Sequence, residues 1–540
     1  MRLAFVSEGL EKMGFEILSA VARRRGHEVR LAFSPAAFGD RNYLDTDLLG
    51  NRTSRVGFLG ALAAWQPDVV LFSPTAPSCR WALSTARKVR ETLGPTPMIL
   101  FGGPHASAVP RTMLSEPSVD AGCVGEGELA FEELLIALAD GRPTRLVPGF
   151  WTRGPNGEPL PGAPARAVGN LDDLPFPDKG LYEDAIDLSL NYGVMAGRGC
   201  PMHCAFCFNS FWHDLTTSPS RRLRMRSPGH VLKELRLAKQ RYAPKWVEFF
   251  DDVFLTNRRW MLEFLPQYRN EIGIPFSCQT VPTRVDDQMA RSLRNAGCEM
   301  VILGVQSLDT QSLRRMDRGW QHQERIAASA WALKSAGIRV RMDQILAIPE
   351  EPLETLDEAI RYFARIGPER IATFWFRYLP GTKMLLDAVQ EGRVSEEEAE
   401  CIARGEVTSY YTPELVEGAG IEGAMLQDYL YYETILKSLP LLGDRLRRIL
   451  PRGAFRRLPV PVARAIPFLM DVGCSALRGS LDWKIYGRIY GRTMLQALLP
   501  RKDYLTVPGP LFGEDANAPA PSQTVNGSGG PDRIGTSAEL

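Results

Sequence analysis

The sequence predicts an α/β protein made of two successive strand-and-helix units, closed by a mainly helical region. Three observations carry that prediction. Short apolar strands alternate with amphipathic helices over the first 140 residues, the alternation restarts at Tyr192, and sheet character fades beyond Gly381. At 540 residues, 44% hydrophobic and 24% charged, the chain has the composition of a globular protein. Its length suits about three domains.

In the first unit, residues 3–6 read as a buried strand, followed by a helix carrying Ile17, Leu18, Val21 and Ala22 that Gly26 stops. Strands at 27–33, 69–73 and 98–101 then alternate with helices at 56–65, 81–93 and 128–139. That order predicts a doubly wound, Rossmann-like sheet over residues 1–142, and such sheets bind ligands beyond the carboxyl ends of their strands. Two loops fall there, Ser73-Pro-Thr75 and Gly102-Gly103-Pro104-His105-Ala-Ser107. Paired glycines admit a large ligand close to the backbone, and Ser73, Thr75 and Ser107 offer hydroxyls. A third loop, Gly125-Glu126-Gly127-Glu128, caps the helix after it. The same loops also serve as tight turns with no ligand at all.

Residues 143–185 are rich in Pro, Gly, Arg and Asp around Leu171-Asp-Asp-Leu-Pro-Phe-Pro177, and read as a surface linker. Strands at 192–196, 246–250, 276–279, 300–305, 340–345 and 371–376 follow, separated by helices at 230–241, 258–271, 286–295, 323–336 and 355–366. Six strand-led units over residues 186–385 predict a partial (β/α)6 TIM barrel, with its working groups at the carboxyl ends of the strands. Those positions hold Asp251 and Asp252, Gln279, Gln306 and Ser307, Asp343, and Tyr378. Adjacent carboxylates on a strand point oppositely, so one of Asp251 and Asp252 is expected to face a ligand.

Between the linker and the second strand lies Cys200-x-x-x-Cys204-x-x-Cys207, with Gly197 and Gly199 loosening the backbone before it. Three thiolates on one loop can hold a soft metal or three irons of a cubane cluster. They are one short of a closed structural site, and Cys79, Cys123, Cys278, Cys298, Cys401 and Cys474 are scattered. A zinc knuckle, with His203 or a distant side chain as fourth ligand, fits the spacing too.

With Phe206 before its last cysteine, this motif resembles the signature of the radical S-adenosylmethionine superfamily. The resemblance implies a 4Fe-4S cluster on Cys200, Cys204 and Cys207, whose open iron binds S-adenosylmethionine and cleaves it to a 5'-deoxyadenosyl radical. It also implies that Phe206 shields the cluster, while Asp251, Asp252, Gln279, Gln306, Ser307 and Asp343 contact S-adenosylmethionine. Many relatives carry glutamate where Gln306 stands. Asp252 and Tyr378 are then the catalytic candidates. Leu-Pro-Phe-Pro177 and Leu379-Pro-Gly-Thr382 resemble the segments that bracket this domain in the family.

The first unit's loops, taken in order, resemble the cobalamin-binding domain joined to such enzymes, which implies contacts from Ser73, Thr75, Gly102, Gly103, Pro104, His105, Ser107, Glu126 and Gly127. The D-x-H-x-x-G loop of other cobalamin proteins is absent, so no histidine is expected beneath the cobalt. Together the resemblances imply C-methylation of an unactivated carbon in a small-molecule or natural-product intermediate, with methyl relay through methylcobalamin. A cyclase, ring-contraction or oxidative activity with the same cofactors is the alternative. The expected electron donor is of flavodoxin or ferredoxin type.

Residues 386–512 show helical patterns at 397–404 and 425–437, then a basic, proline-marked stretch in which 458–470 reads as too broken to span a membrane. Tyr410, Tyr411, Tyr429, Tyr431, Tyr432, Trp483, Tyr486 and Tyr490 suit a large apolar substrate or an ordinary core. Residues 513–540 read as a disordered tail. A net charge of +1 implies no affinity for nucleic acid, although Arg221, Arg222, Arg224 and Arg226 cluster locally. With no leader pattern at the start and with cysteines suited to thiolates, a cytoplasmic, reducing setting is expected.

Overall fold

The Val-Val-Leu-Phe strand at Val69–Phe72 is buried at every position, which marks a parallel strand covered on both faces. The structure is a computed structural model describing residues 1–9, 11–34, 57–215, 223–406, 423–481, 483, 484, 487 and 505–512. Expectations for Arg221, Arg222, Tyr410, Tyr411, Tyr486, Tyr490 and the tail 513–540 lie outside the described residues.

Strands β1 (Arg2–Glu8), β2 (Glu28–Ser34), β3 (Val69–Phe72), β4 (Met98–Phe101) and β5 (Ala121–Cys123) run parallel in the order β2-β1-β3-β4-β5. Alternate side chains build two cores, Leu3 and Phe5 on one face and Ala4 and Val6 on the other. The doubly wound expectation holds. The reading of 143–185 as only a linker is corrected, because β6 (Phe150–Arg153) and β7 (Pro159–Leu160) extend the sheet antiparallel beyond β5. Buried Phe150 and the packed Trp151 anchor this hairpin, which is too short and too close to Gly and Pro to show a strand period. A strand near the other end of the chain, Leu505–Thr506, returns to pair antiparallel with β2.

The second sheet is parallel throughout and follows chain order: β8 (Tyr192–Val194), then β11 (Val247–Phe249), β12 (Phe276–Thr280), β13 (Cys298–Gln306), β14 (Arg339–Leu346) and β15 (Arg370–Trp375). Two short strands, β9 (Gly197–Arg198) and β10 (Arg224–Met225), pair antiparallel beside it. Six parallel strands make an open barrel sector, as expected. Beyond β15, helix Gly423–Leu442 packs on the sheet; Tyr429, Tyr431 and Tyr432 are buried in the barrel's own core. These tyrosines are therefore packing residues, and this part of the helical region shares a core with the barrel.

The expectation that prolines break 458–470 is also corrected. Val460–Arg478 is one helix with Pro467 inside it, and its inward positions Ala463, Pro467 and Cys474 are buried. One missing N–H is tolerated where packing against Gly423–Leu442 supplies the stabilisation. By length and composition alone, with a mean hydropathy of 1.4, it is apolar enough to cross a membrane.

The two sheets meet at a buried ionic joint. Asp178 accepts from Ser19 Oγ at 2.6 Å and pairs with Arg23 at 2.9 Å. Lys179, 1% exposed, pairs with Glu16 at 2.9 Å and with Glu11, and its ammonium lies 5.0 Å from the Tyr192 ring. The joint thus ties the first helix of one sheet to the first strand of the other. Burial pushes the Glu16 carboxyl well up, while Lys179 holds Glu11 below its ordinary range against its own burial cost. Replacing Lys179 with Met strands two carboxylates away from water, and should destabilise the chain by about 3–5 kcal/mol, read as a lower urea midpoint.

Candidate active site

Gly199 takes φ +87° and starts the cysteine loop, a left-handed conformation that a side chain would oppose. At Gly197 a Cβ would fall 2.6 Å from Met225 Sδ and 2.8 Å from Arg224 O, so only glycine lets β9 lie against β10. Asp251, at the end of β11, accepts from Ala196 N at 2.9 Å and Gly197 N at 2.6 Å. Its burial raises its pKa to about 7, a cost the two backbone donors partly offset. Further along, Ala205 N donates to Met316 O at 3.0 Å, and Ala205 O accepts from Met384 N at 3.1 Å. An irregular loop is thereby fixed on both sides of Cys204.

Among the described residues, N–H donors reach each of the three sulfurs. Met202 N lies 3.5 Å from Cys200 Sγ, Arg318 Nη1 3.4 Å from Cys204 Sγ, and Asn209 Nδ2 3.8 Å from Cys207 Sγ. Burial pushes the Cys200 thiol up to about 12 and the Cys207 thiol up to about 11, so iron must displace their protons. Among the described residues no three His, Cys, Asp or Glu side chains converge on one ion-sized site. His203, the fourth ligand of the zinc alternative, instead faces His213, their Nδ1 atoms 3.1 Å apart. Three thiols on one loop, met by N–H donors and with Cys207 at the edge of an open cavity, fit a three-cysteine cubane with one corner left for a small molecule.

That cavity opens to solvent and spans ≈ 1080 Å³ at the carboxyl ends of the barrel strands, and Phe206, Cys207, Asp252, Gln306 and Asp343 all line it. The structure thus separates the adjacent carboxylates: Asp252 opens to the cavity while Asp251 turns back to hold the loop. Asp252 is exposed to that cavity; desolvation by the walls around it raises its pKa, and Asn209 eases it down. Gln306 sits at φ +69° beside a register shift between β13 and β14, a bulge that re-aims its side chain at the strand end. Asp343 is held by Arg341 at 2.9 Å. Phe206 packs with Ala205, Ile345 and Met384 behind the loop.

Other expected contacts are spent elsewhere. Ser307 is fully buried; it donates to Glu351 and accepts from Asp309 N at 3.0 Å. The Tyr378 hydroxyl accepts from Arg393 Nη1 at 3.2 Å. Neither Tyr378 nor Gln279 lines the cavity. Asn209, Phe374, Phe376 and Arg377 do, and were missed. Asn209 stands two residues beyond Cys207, a proximity that was a usable signal.

In the first sheet, a cleft of ≈ 650 Å³ opens at the carboxyl ends of β3, β4 and β5, lined by Ser73, Gly102, Gly103 and Gly127 with Phe15, Leu18, Phe131 and Phe150. Gly103 has φ +79°, and a Cβ there would lie 2.3 Å from Ser73 Oγ. A glycine-floored, apolar slot fits a flat heterocycle such as the nucleotide tail of cobalamin. Thr75, Pro104, His105, Ser107 and Glu126 do not line it. Thr75 exchanges hydrogen bonds with Ser78, Pro104 opens the short helix Gly103–Ala108, and Ser107 Oγ accepts from Gly125 N at 3.1 Å. His105 Nε2 meets Ala403 O at 2.8 Å, and burial lowers its pKa to about 4.

Glu126 reaches across to the barrel, pairing with Arg224 and lying 3.7 Å from Arg198, while Arg198 also pairs with Glu128 at 2.5 Å. Arg198 precedes Cys200 by two residues. The loop bordering the cleft is therefore ionically joined to the loop carrying the cysteines.

Residues 6–135 match the family described as B12 binding domain, and residues 194–363 match the Radical SAM superfamily. The hopanoid C-3 methylase of Methylococcus capsulatus is 27% identical over 391 residues, 69% of this chain and 68% of that protein. The cobalamin-dependent radical SAM methyltransferase TokK of Streptomyces tokunonensis is 32% identical over 330 residues, 56% of this chain and 45% of its own. The solved structure of OxsB, a cobalamin-dependent S-adenosylmethionine radical enzyme, aligns with TM-score 0.60 at 16% identity, covering 92% of this chain and 84% of that one. With both domains matched and the cysteine loop and cleft in place, the chain joins an N-terminal B12 binding domain to a radical SAM domain.

Proposed function

We propose that this protein is a cobalamin-dependent radical SAM C-methyltransferase acting on an unactivated carbon of a small-molecule or natural-product intermediate. The observation that carries this reading is the ionic junction of Arg198 and Arg224 with Glu126 and Glu128, which sets the cofactor cleft of one sheet against the cysteine loop of the other. Group transfer between two cofactors needs their reacting atoms in near contact, and the ion pairs joining the two loops support such an approach. The methyltransferase names of the relatives favour this reading over cyclisation, ring contraction or oxidation.

When bound, the cluster with S-adenosylmethionine supplies a hydrogen-abstracting radical, and cobalamin supplies the methyl group. Cys200, Cys204 and Cys207 hold the iron, and Phe206 keeps water from it. Asp252 accepts from the sulfonium ligand's amino group, with Gln306 and Asp343 available to its other polar atoms. Asp251 acts at one remove, by fixing the backbone from which the loop departs. The apolar side of the cavity, Phe374 and Phe376, shields a radical and suits an apolar part of the substrate. Electrons come from a flavodoxin- or ferredoxin-type donor in a reducing, cytoplasmic setting.

Anaerobically reconstituted wild-type protein, given S-adenosylmethionine, cobalamin and host metabolite extracts, should release 5'-deoxyadenosine and yield a product heavier by one CH2 unit. A product of unchanged mass, or lighter by hydrogen, would sink the methylation reading. Alanine at Cys200, Cys204 or Cys207 should abolish both the cluster absorption and 5'-deoxyadenosine release. Asp252→Asn should keep the iron and slow 5'-deoxyadenosine formation at least about tenfold, whereas Asp251→Asn should lower the iron content itself.

A further inference from the structure

Arg318 is 3% exposed, yet among the described residues no carboxylate pairs with it. Its Nη1 donates to Cys204 Sγ at 3.4 Å, and its Nη2 donates to Gly304 O and to Gln321 Oε1, each at 2.6 Å. The Trp320 ring lies 4.8 Å from its guanidinium carbon. Every one of these partners is neutral as long as Cys204 is a thiol. A guanidinium buried without an anion is strongly unfavourable, and arginine is almost never so deeply buried unless paired. The position is nevertheless built with care: Asp317 takes a left-handed φ of +54° just before it, and Met316 O holds Ala205 N of the cysteine loop. Gln321 Nε2 in turn donates to Val305 O at 2.5 Å. Arg318 and Gln321 together grip Gly304 and Val305, which precede the cavity-lining Gln306.

We propose that Arg318 is a positioning and charge-balancing residue for the cluster: it donates to Cys204 as an iron-bound thiolate, and it ties that sulfur to the strand end carrying Gln306. The missing anion is then the cluster with its thiolates. One-electron reduction adds negative charge beside the guanidinium, so Arg318 favours the reduced form and raises the reduction potential. Its hydrogen bond to sulfur makes it an outer partner of a ligand, as metal sites use to tune their ligands. The proposal rests on the three-cysteine cluster reading given above.

The test uses the full chain as wild type, Arg318→Met and Arg318→Lys, each prepared anaerobically with and without iron and sulfide. Iron content and electron paramagnetic resonance during a redox titration are read, with urea stability of the iron-free forms. The Met variant should bind iron yet show about a tenfold lower ratio of reduced to oxidised cluster at a fixed potential, with Lys restoring most of it. Without iron, Met should be at least as stable as wild type, because it removes an uncompensated charge. A Met variant with a full cluster and wild-type reduction would overturn the proposal. So would an iron-free Met variant that is less stable than wild type or fails to fold, since Arg318 would then be structural. Wild-type protein that takes up no cluster would instead refute the cluster reading itself.

Discussion

A loop that must present three sulfurs to one centre cannot use the hydrogen bonds of a helix or strand to hold its shape. Its backbone has to be fixed from outside. Asp251 does this at the entrance, accepting from Ala196 N and Gly197 N, and Met316 O and Met384 N do it around Ala205. The barrel sector is the frame that brings these distant groups to the loop, and it leaves Cys207 at the rim of the cavity beside it. Placing a carboxylate in that dry position raises its pKa to about 7, so the contact is maintained against a desolvation cost.

The second constraint is relative placement of two binding edges. A doubly wound sheet and a parallel barrel both offer ligands the carboxyl ends of their strands. Here those ends are brought together by two kinds of ionic contact. Lys179 and Asp178 bury their charges between the first helix and the barrel's first strand, and Arg198 and Arg224 meet Glu126 and Glu128 nearer the cofactor sites. Glu126 is thus a residue of the junction, and its acidity faces the barrel arginines.

Much of the site could be read from residue order. Cys207, Phe206, Asp252, Gln306 and Asp343 were expected together and share one cavity; Ser73, Gly102, Gly103 and Gly127 share the other. Four other candidates are engaged elsewhere in the fold. Ser307, Tyr378, His105 and Thr75 sit at suitable loop positions, but their polar atoms are taken by Glu351, Arg393, Ala403 and Ser78. A sequence reports what a side chain can bind, whereas competition among nearby partners decides what it does bind. Of the two uses the sequence allowed for the tyrosines of Gly423–Leu442, the fold takes the core one, since that helix is buried from Leu426 to Leu436.

By itself, the sequence determined the alternation of strands and helices, the boundary at which the second alternation begins, and the cysteine spacing, because each is set by local periodicity or by residue type. Only the tertiary structure decided which of Asp251 and Asp252 faces the cavity, that Phe150–Arg153 joins the first sheet, and that Arg318 reaches Cys204. Those outcomes depend on contacts between residues far apart in the chain, and the direction of a side chain at a strand end is fixed only when its neighbours across the sheet have claimed the space around it.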